Sequence, residues 1–284
     1  MSMTSQKELE SLIDFWKKLD LSKNQKIHSE DVELISEQIN DSFNYDETAF
    51  NYMEDKKERR KFQSSLIPQP YIGNLRTANI FILSLNPGFE FCDYYSEIEN
   101  ADFRKALEDT LYQNFNDGGY FAWPFNPKFL WTSGAKYWLK KINTVENSLI
   151  EEFIEQEKTK GNDFSFSQAI KLFSKKIAFL EVVPYHSREF AFSKYEELPS
   201  TNKMFEFING YVIPKAENGE ALLVVLRKGS ELQNSQKEKL FKESDIENYK
   251  DNIVIYKGSS ECQSASLSAK SRAGIAILKF LKSK

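Results

Sequence analysis

The chain has 284 residues, is 40% hydrophobic and 14% aromatic, and carries a net charge of −4 from 38 Lys+Arg against 42 Asp+Glu. That apolar content excludes a disordered chain, and the slight acidic excess argues against wholesale coating of nucleic acid while leaving room for a local basic groove. Only Cys92, Cys262 and two histidines occur, with no metal-ligand spacing, so a disulfide framework and a cysteine zinc site are excluded and no metal or cofactor is expected.

Residues 1–65 read as a helical extension. Leu9, Leu12, Ile13, Phe15, Trp16 and Leu19 recur at helical spacing, and a second pattern runs from Val32 to Ile39, with Ser29 placed as its N-cap. His28 reads as a surface residue. EDKKERRK (54–61) reads as a solvated helix face. MSMTSQKELE (1–10) lacks a leader's hydrophobic stretch, and no apolar run approaches the roughly 18 residues of a membrane span. A cytoplasmic protein with no membrane partner is expected, and the N-terminal helices either cap the domain or recruit a protein partner.

At residue 66 the character changes. LIPQPYIGNL (66–75) reads as an ordered loop. NIFILSL (79–85) is a buried strand closed by Asn86-Pro87-Gly88. Residues 97–115 read as a helix, and 119–131 as a proline-broken aromatic loop. Helical patterns follow at 134–143, 146–160 and 165–175, those around 144–175 forming an insertion. KIAFLEVVPY (176–185) is a second strand, 200–216 a helix, ALLVVLRKG (221–229) a third strand, and 235–248 a short polar helix and loop. NIVIYKG (252–258) is a fourth strand, followed by a serine-rich loop and a last helix at 275–284. Four buried strands alternating with helices predict a domain over 66–284: a three-layer α/β/α sandwich around a mostly parallel four-stranded sheet. Ligands in such sheets sit at the carboxyl ends of the strands.

The loops at those ends hold the candidate chemistry. Gly88 lets the backbone approach a ligand, Asn86 is suited to orienting a water, and Phe89 offers a stacking face. Asn-Pro-Gly equally suits a plain tight turn with Phe89 in the core. His186 follows the second strand, beside Ser187 and Arg188. Glu181 interrupts that apolar strand, either as a buried carboxylate with a purpose or at an edge facing solvent. Ser264, Ser266, Ser268, Lys270 and Arg272 suit phosphate contacts at a helix start, with Arg188, Arg227 and Lys228 adding to a local basic rim.

PQPYIGNLRTANIFILSLNPGF (68–89) resembles the first strand and water-activating loop of the uracil-DNA glycosylase superfamily, in the branch whose first motif reads Asn-Pro-Gly. FLEVVPYHS (179–187), ALLVVL (221–226) and SASLSAKSRAG (264–274) resemble its later segments in order and spacing, so the likeness extends over 66–284. It implies an α/β/α fold that flips a nucleotide out of the stack. It further implies that Asn86 positions the attacking water. Phe89 stacks on the base, with Phe91 or Phe121 as substitutes, and Glu181 reads the base edge. The last loop wedges into DNA and supplies a donor to the departing base. Gln263 or Ser264 stands where the family has histidine in that loop, and His186 is a candidate for the same role. Glu181 stands where the uracil readers have asparagine. A carboxylate only accepts hydrogen bonds, so an amino-bearing edge fits better than uracil. The expected activity is excision of a modified or damaged base from DNA. The alternative is a catalytically silent protein on the same fold that binds nucleic acid or a nucleotide.

Overall fold

A computed structural model describes residues 3–40, 55–144, 147–226, 252–256 and 265–284. In chain order the regular elements are α1 (Met3–Lys17), α2 (Val32–Ile35), β1 (Ile39–Asn40), β2 (Phe62–Gln63), β3 (Tyr71–Ile72), β4 (Ile80–Ser84), α3 (Phe91–Glu99), α4 (Ala101–Leu111), α5 (Ser133–Ile142) and β5 (Asn143–Thr144). Then follow β6 (Asn147–Ser148), α6 (Leu149–Thr159), α7 (Phe166–Lys176), β7 (Ile177–Glu181), α8 (Pro199–Phe207), α9 (Ile213–Glu217), β8 (Leu222–Val225), β9 (Ile253–Ile255) and α10 (Arg272–Lys282). No described helix is long and apolar enough to cross a membrane.

The main sheet runs β3-β7-β4-β8-β9. β4, β7, β8 and β9 are parallel, and β3 is antiparallel to β7. Every residue of β4, β7 and β8 is buried, so both faces of the sheet are covered. Phe81 packs against Phe207 and Tyr211, whereas Phe179, whose register partner is Ile82, packs against Trp138 and Phe125. Phe81 and Ile82 point to opposite faces by strand alternation, so different helices meet the two faces. β4 has β7 on one side and β8 on the other, and the strand order reverses there. A cleft opens at such a switch point, beyond the carboxyl ends of the strands.

The sheet has five strands rather than four. The extra strand is β3, inside the segment read as a loop. Gly73 follows it at φ +108°, and a Cβ there would lie 2.6 Å from the Ile177 carbonyl oxygen, so glycine is required where this edge closes on β7. The helix read at 97–115 is two helices broken at Asn100, whose side chain accepts from the Phe103 N–H at 2.8 Å and caps α4. The long pattern at 200–216 is α8 and α9 joined by a π-helical turn over Ile208–Val212. The 32–39 pattern is one turn of helix, a 3-10 turn and then β1. Asp31, not Ser29, precedes that helix. Glu58–Arg60 is a 3-10 turn whose Arg59 meets Glu189 at 3.3 Å, so the charge run is not a helix face. The helix and loop read at 235–248 lie outside the described residues.

The N-terminal segment shares the main core: Leu12, Ile13, Trp16, Ile27 and Ile35 belong to the same apolar cluster as the sheet. Asp31 ties it down, accepting from the Tyr185 hydroxyl at 2.5 Å and the Ser200 N–H at 3.1 Å. His28 is buried, not at the surface. Its ring stacks on Phe15 at 3.7 Å, Nε2 faces the Phe15 carbonyl at 3.1 Å, and Nδ1 accepts from the Glu30 N–H. Burial pushes its imidazole below the usual range, against the opposing pull of the Phe15 carbonyl, Asp31 and Glu30. The folded chain therefore binds this proton more weakly than the unfolded chain does. The stability due to His28 is present above the unfolded value of about 6.5 and is lost as pH falls from there toward the depressed folded value. Urea midpoints of the wild type should fall more steeply between about pH 7 and pH 5 than those of His28→Phe. Parallel lines would rule out His28 as the source.

Candidate functional site

Beyond their strands, the chains leaving β4 and β7 stay paired. Ser84 is in register with Glu181, and the Val182 and Val183 N–H groups donate to the Ser84 and Leu85 carbonyls at 3.2 and 2.8 Å. The Ser187 N–H donates to the Pro87 carbonyl at 3.3 Å. These two loops form one wall of a cavity of about 610 Å³, within the size range of small-ligand sites.

Asn86 is fixed by its amide nitrogen. Nδ2 donates to the Pro87 carbonyl and Ser187 Oγ at 3.0 Å each, and to the Tyr185 carbonyl at 3.4 Å. That leaves Oδ1 as the acceptor the side chain can offer to a water or ligand in the cavity it lines. His186 is anchored at both ring nitrogens: Nδ1 faces the Gly88 carbonyl at 2.9 Å and Nε2 the Ile67 carbonyl at 3.1 Å. Its ring therefore clamps the Asn-Pro-Gly turn to the segment before β3. Glu181, at the end of β7, is a buried carboxylate lining the cavity and does not sit at a solvent-facing edge.

The opposite wall comes from helices. Asp93 and Glu97 lie one turn apart on α3 and both line the cavity. Asp93 is held by the Glu90 N–H at 2.7 Å in a capping box, and by the Ser133 hydroxyl. Burial raises its carboxyl above the usual range, opposed by those two donors and by His186. Among the described residues Glu97 accepts from the Ile67 N–H alone, at 3.1 and 3.0 Å to its two oxygens. Burial raises Glu97 to about 7, against the pull of that N–H, Lys26 and Arg104. Phe103, Trp123, Tyr137 and Trp138 supply an aromatic side. Trp123 Nε1–H is buried without an acceptor among the described residues.

Of the residues singled out in the sequence, Asn86, Gly88, Phe89, Glu181, His186 and Arg188 come together around this cavity. A Cβ on Gly88 would meet nothing within 4 Å, so the backbone there is open to a close approach. Phe89 is buried edge-on against Phe91 and Tyr94 in a small cluster with Leu66, and lines the cavity from there. Phe121 packs on Phe115 instead.

The described part of the last loop, from Ala265 to Ser271, does not line this cavity. Ser266 and Ser268 bond to one another at 3.1 Å, and the Ser271 hydroxyl donates to both their carbonyls and caps α10. Arg272 donates to the Ile255 carbonyl at 2.9 Å and lies over the Tyr256 ring, while Lys270 is exposed. Gln263, Ser264, Arg227 and Lys228 lie outside the described residues. Arg188 lies 3.6 Å from Glu90.

Of the expected basic rim, Arg188 lines the cavity among the described residues. Glu90, Asp93, Glu97, Glu181 and Glu189 line it against Arg188 and His186. Glu90 lies against Arg188 and Glu189 against Arg59 and Arg60, while the acceptor oxygens of Asp93, Glu97 and Glu181 suit a ligand that brings amino donors. No family model, curated protein or solved structure matches the chain.

The sequence reading missed the helical wall: Asp93, Glu97, Ser133, Tyr137 and Trp138. The spacing of Asp93 and Glu97 signals a shared helix face, but only packing shows that this face meets Asn86.

Proposed function

We propose that the chain is a DNA glycosylase-like protein on a three-layer α/β/α sandwich, which draws an extruded amino-bearing base into this cavity and hydrolyses its N-glycosidic bond. One observation carries the reading. Asn86, in the loop after β4, and Glu181, at the end of β7, line one cavity at the carboxyl ends of two adjacent parallel strands, among aromatic side chains and further carboxyl groups. Glu181 accepts from the exocyclic amino group of the base, and Phe89 with Trp138 supplies apolar faces. The bond from the sugar C1′ to the base breaks with its electron pair leaving on the base. Water, held by Asn86 Oδ1, delivers its oxygen to C1′. The carboxylates stabilise the positive charge that builds on the sugar. DNA approaches through Arg188 at the mouth, and the work is done in the cytoplasm.

Incubating folded protein with DNA containing deaminated, alkylated and modified bases, and weighing the free base by mass spectrometry, tests this. Release of an amino-bearing base is the expected outcome. No release would favour a second reading, a silent nucleotide-binding protein. Asn86 and His186, bonded into their own loops, speak for that reading, since a turn fixed in this way needs no catalytic role.

A further inference from the structure

A hydrolytic cavity for an amino-bearing base must solve a second problem. An amino-substituted ring leaves poorly as an anion, so a proton has to reach one of its nitrogens as the bond breaks. Asn86 cannot supply it. Its amide is not an acid at ordinary pH, and its N–H donors are already bonded to loop oxygens. His186 is held between two backbone carbonyls.

Resting on the reading above, we propose that Glu97 is the general acid that protonates the departing base. The side chain is buried and lines the same cavity as Asn86 and Glu181. Its placement differs from that of Asp93, one turn earlier on α3. Asp93 has a hydroxyl and a backbone N–H pointing at separate oxygens, which favours its ionised form. Glu97 shares a single N–H, that of Ile67, between both oxygens. The charged groups that face it are Lys26 from the loop after α1, Arg104 from α4 and Asp93 from its own helix, with Glu181, Glu90, Glu189, His186 and Arg188 around the cavity. Lys26 donates from its ammonium to the Ser65 carbonyl, and burial pushes that amine down. Burial accordingly raises Glu97 to about 7, where an acid both holds its proton and gives it up readily. Two carboxyls whose surroundings differ in this way can divide the acid and base work.

The step balances. The Glu97 carboxyl proton goes to a ring nitrogen of the base as the C1′–N pair leaves on the base. The water oxygen bonds C1′, and the water's proton passes to Asp93. Transfer of a proton from Asp93 to Glu97 through solvent restores the resting state.

The test compares single-turnover base release by the full chain and by Glu97→Gln from about pH 5.5 to 9. The wild-type rate should fall above about 7, with Glu97→Gln slower by about 10²-fold at low pH and flat across the range. A Glu97→Gln rate within about threefold of wild type, or one that keeps the fall, overturns the assignment. In wild-type protein labelled at glutamate carboxyl carbons, one resonance should titrate near 7. Glutamates that all titrate below about pH 5 would overturn it whether or not the variant folds. A folded wild type that releases no base defeats the glycosylase reading as well, whereas an active wild type with an unimpaired Glu97→Gln defeats only the role of Glu97.

Discussion

Asn86→Ala should lower base release by about 10²–10³-fold while the protein stays folded, because it removes the amide oxygen that holds the attacking water in the proposed reaction. The same change costs stability, since Nδ2 bonds the Pro87 carbonyl, the Tyr185 carbonyl and Ser187 Oγ. At about 1 kcal/mol net per hydrogen bond, a loss of about 2–3 kcal/mol is expected, small enough for a folded variant to be assayed. Ser187→Ala separates the two effects. It removes a partner that helps to set the Asn86 amide but leaves Oδ1 in place, so its rate should fall by less than about tenfold. Equal losses in the two variants would assign Asn86 to holding the loop rather than to positioning water. Full activity in Asn86→Ala, measured on protein with an intact thermal transition, would remove it from the mechanism altogether.

Gly274→Ala should destabilise the fold by about 3 kcal/mol, opposite in sign to the usual effect. In an ordinary helix interior alanine is better than glycine by about 1 kcal/mol. Here the first turn of α10 lies against the loop before it, and a Cβ would come within 1.9 Å of the Ser268 carbonyl oxygen and 2.6 Å of its carbon. Both are backbone atoms, so relief requires moving the turn that Ser271 holds together through the Ser266 and Ser268 carbonyls. Overpacking of this kind typically costs 1–3 kcal/mol and sometimes more. For a chain of this size the melting temperature should drop by roughly 5 °C. An unchanged or raised melting temperature would mean that α10 does not pack on the Ser268 turn as described.

The strands were readable because burial on both faces demands continuous apolar runs, which IFIL at the start of β4 and LLVV in β8 supply. β3 was not. It is two residues long and follows Pro68 and Pro70, which signal a loop, and only pairing with Phe179 and Leu180 makes it a strand. The break at Asn100 was hidden because Phe103, Leu107 and Leu111 carry a helical pattern with no proline or glycine to interrupt it. His28 looked exposed because its neighbours in sequence show no periodicity. Its surroundings are Phe15 and Trp16, brought to it by the turn after α1. In the site, the strand-end loops could be located from topology alone, which is why Asn86, Glu181 and His186 come together. The α3 and α5 wall could not, since a helical face carries no local mark of which neighbour it will meet. The serine-rich segment had the composition of a phosphate loop, yet Ser266, Ser268 and Ser271 spend their hydroxyls on one another and on the start of α10.

In the proposed reaction water attacks C1′ in the cavity between Asn86 and Glu181. The measurement that meets it most directly is base release from a DNA duplex in ¹⁸O-labelled water, with the abasic product weighed promptly. The expected result is one equivalent of free amino-bearing base per site, an abasic sugar carrying one labelled oxygen at C1′, and loss of both in Asn86→Ala. Intact DNA after prolonged exposure to folded protein, or a released base with no label in the sugar at early times, would contradict it.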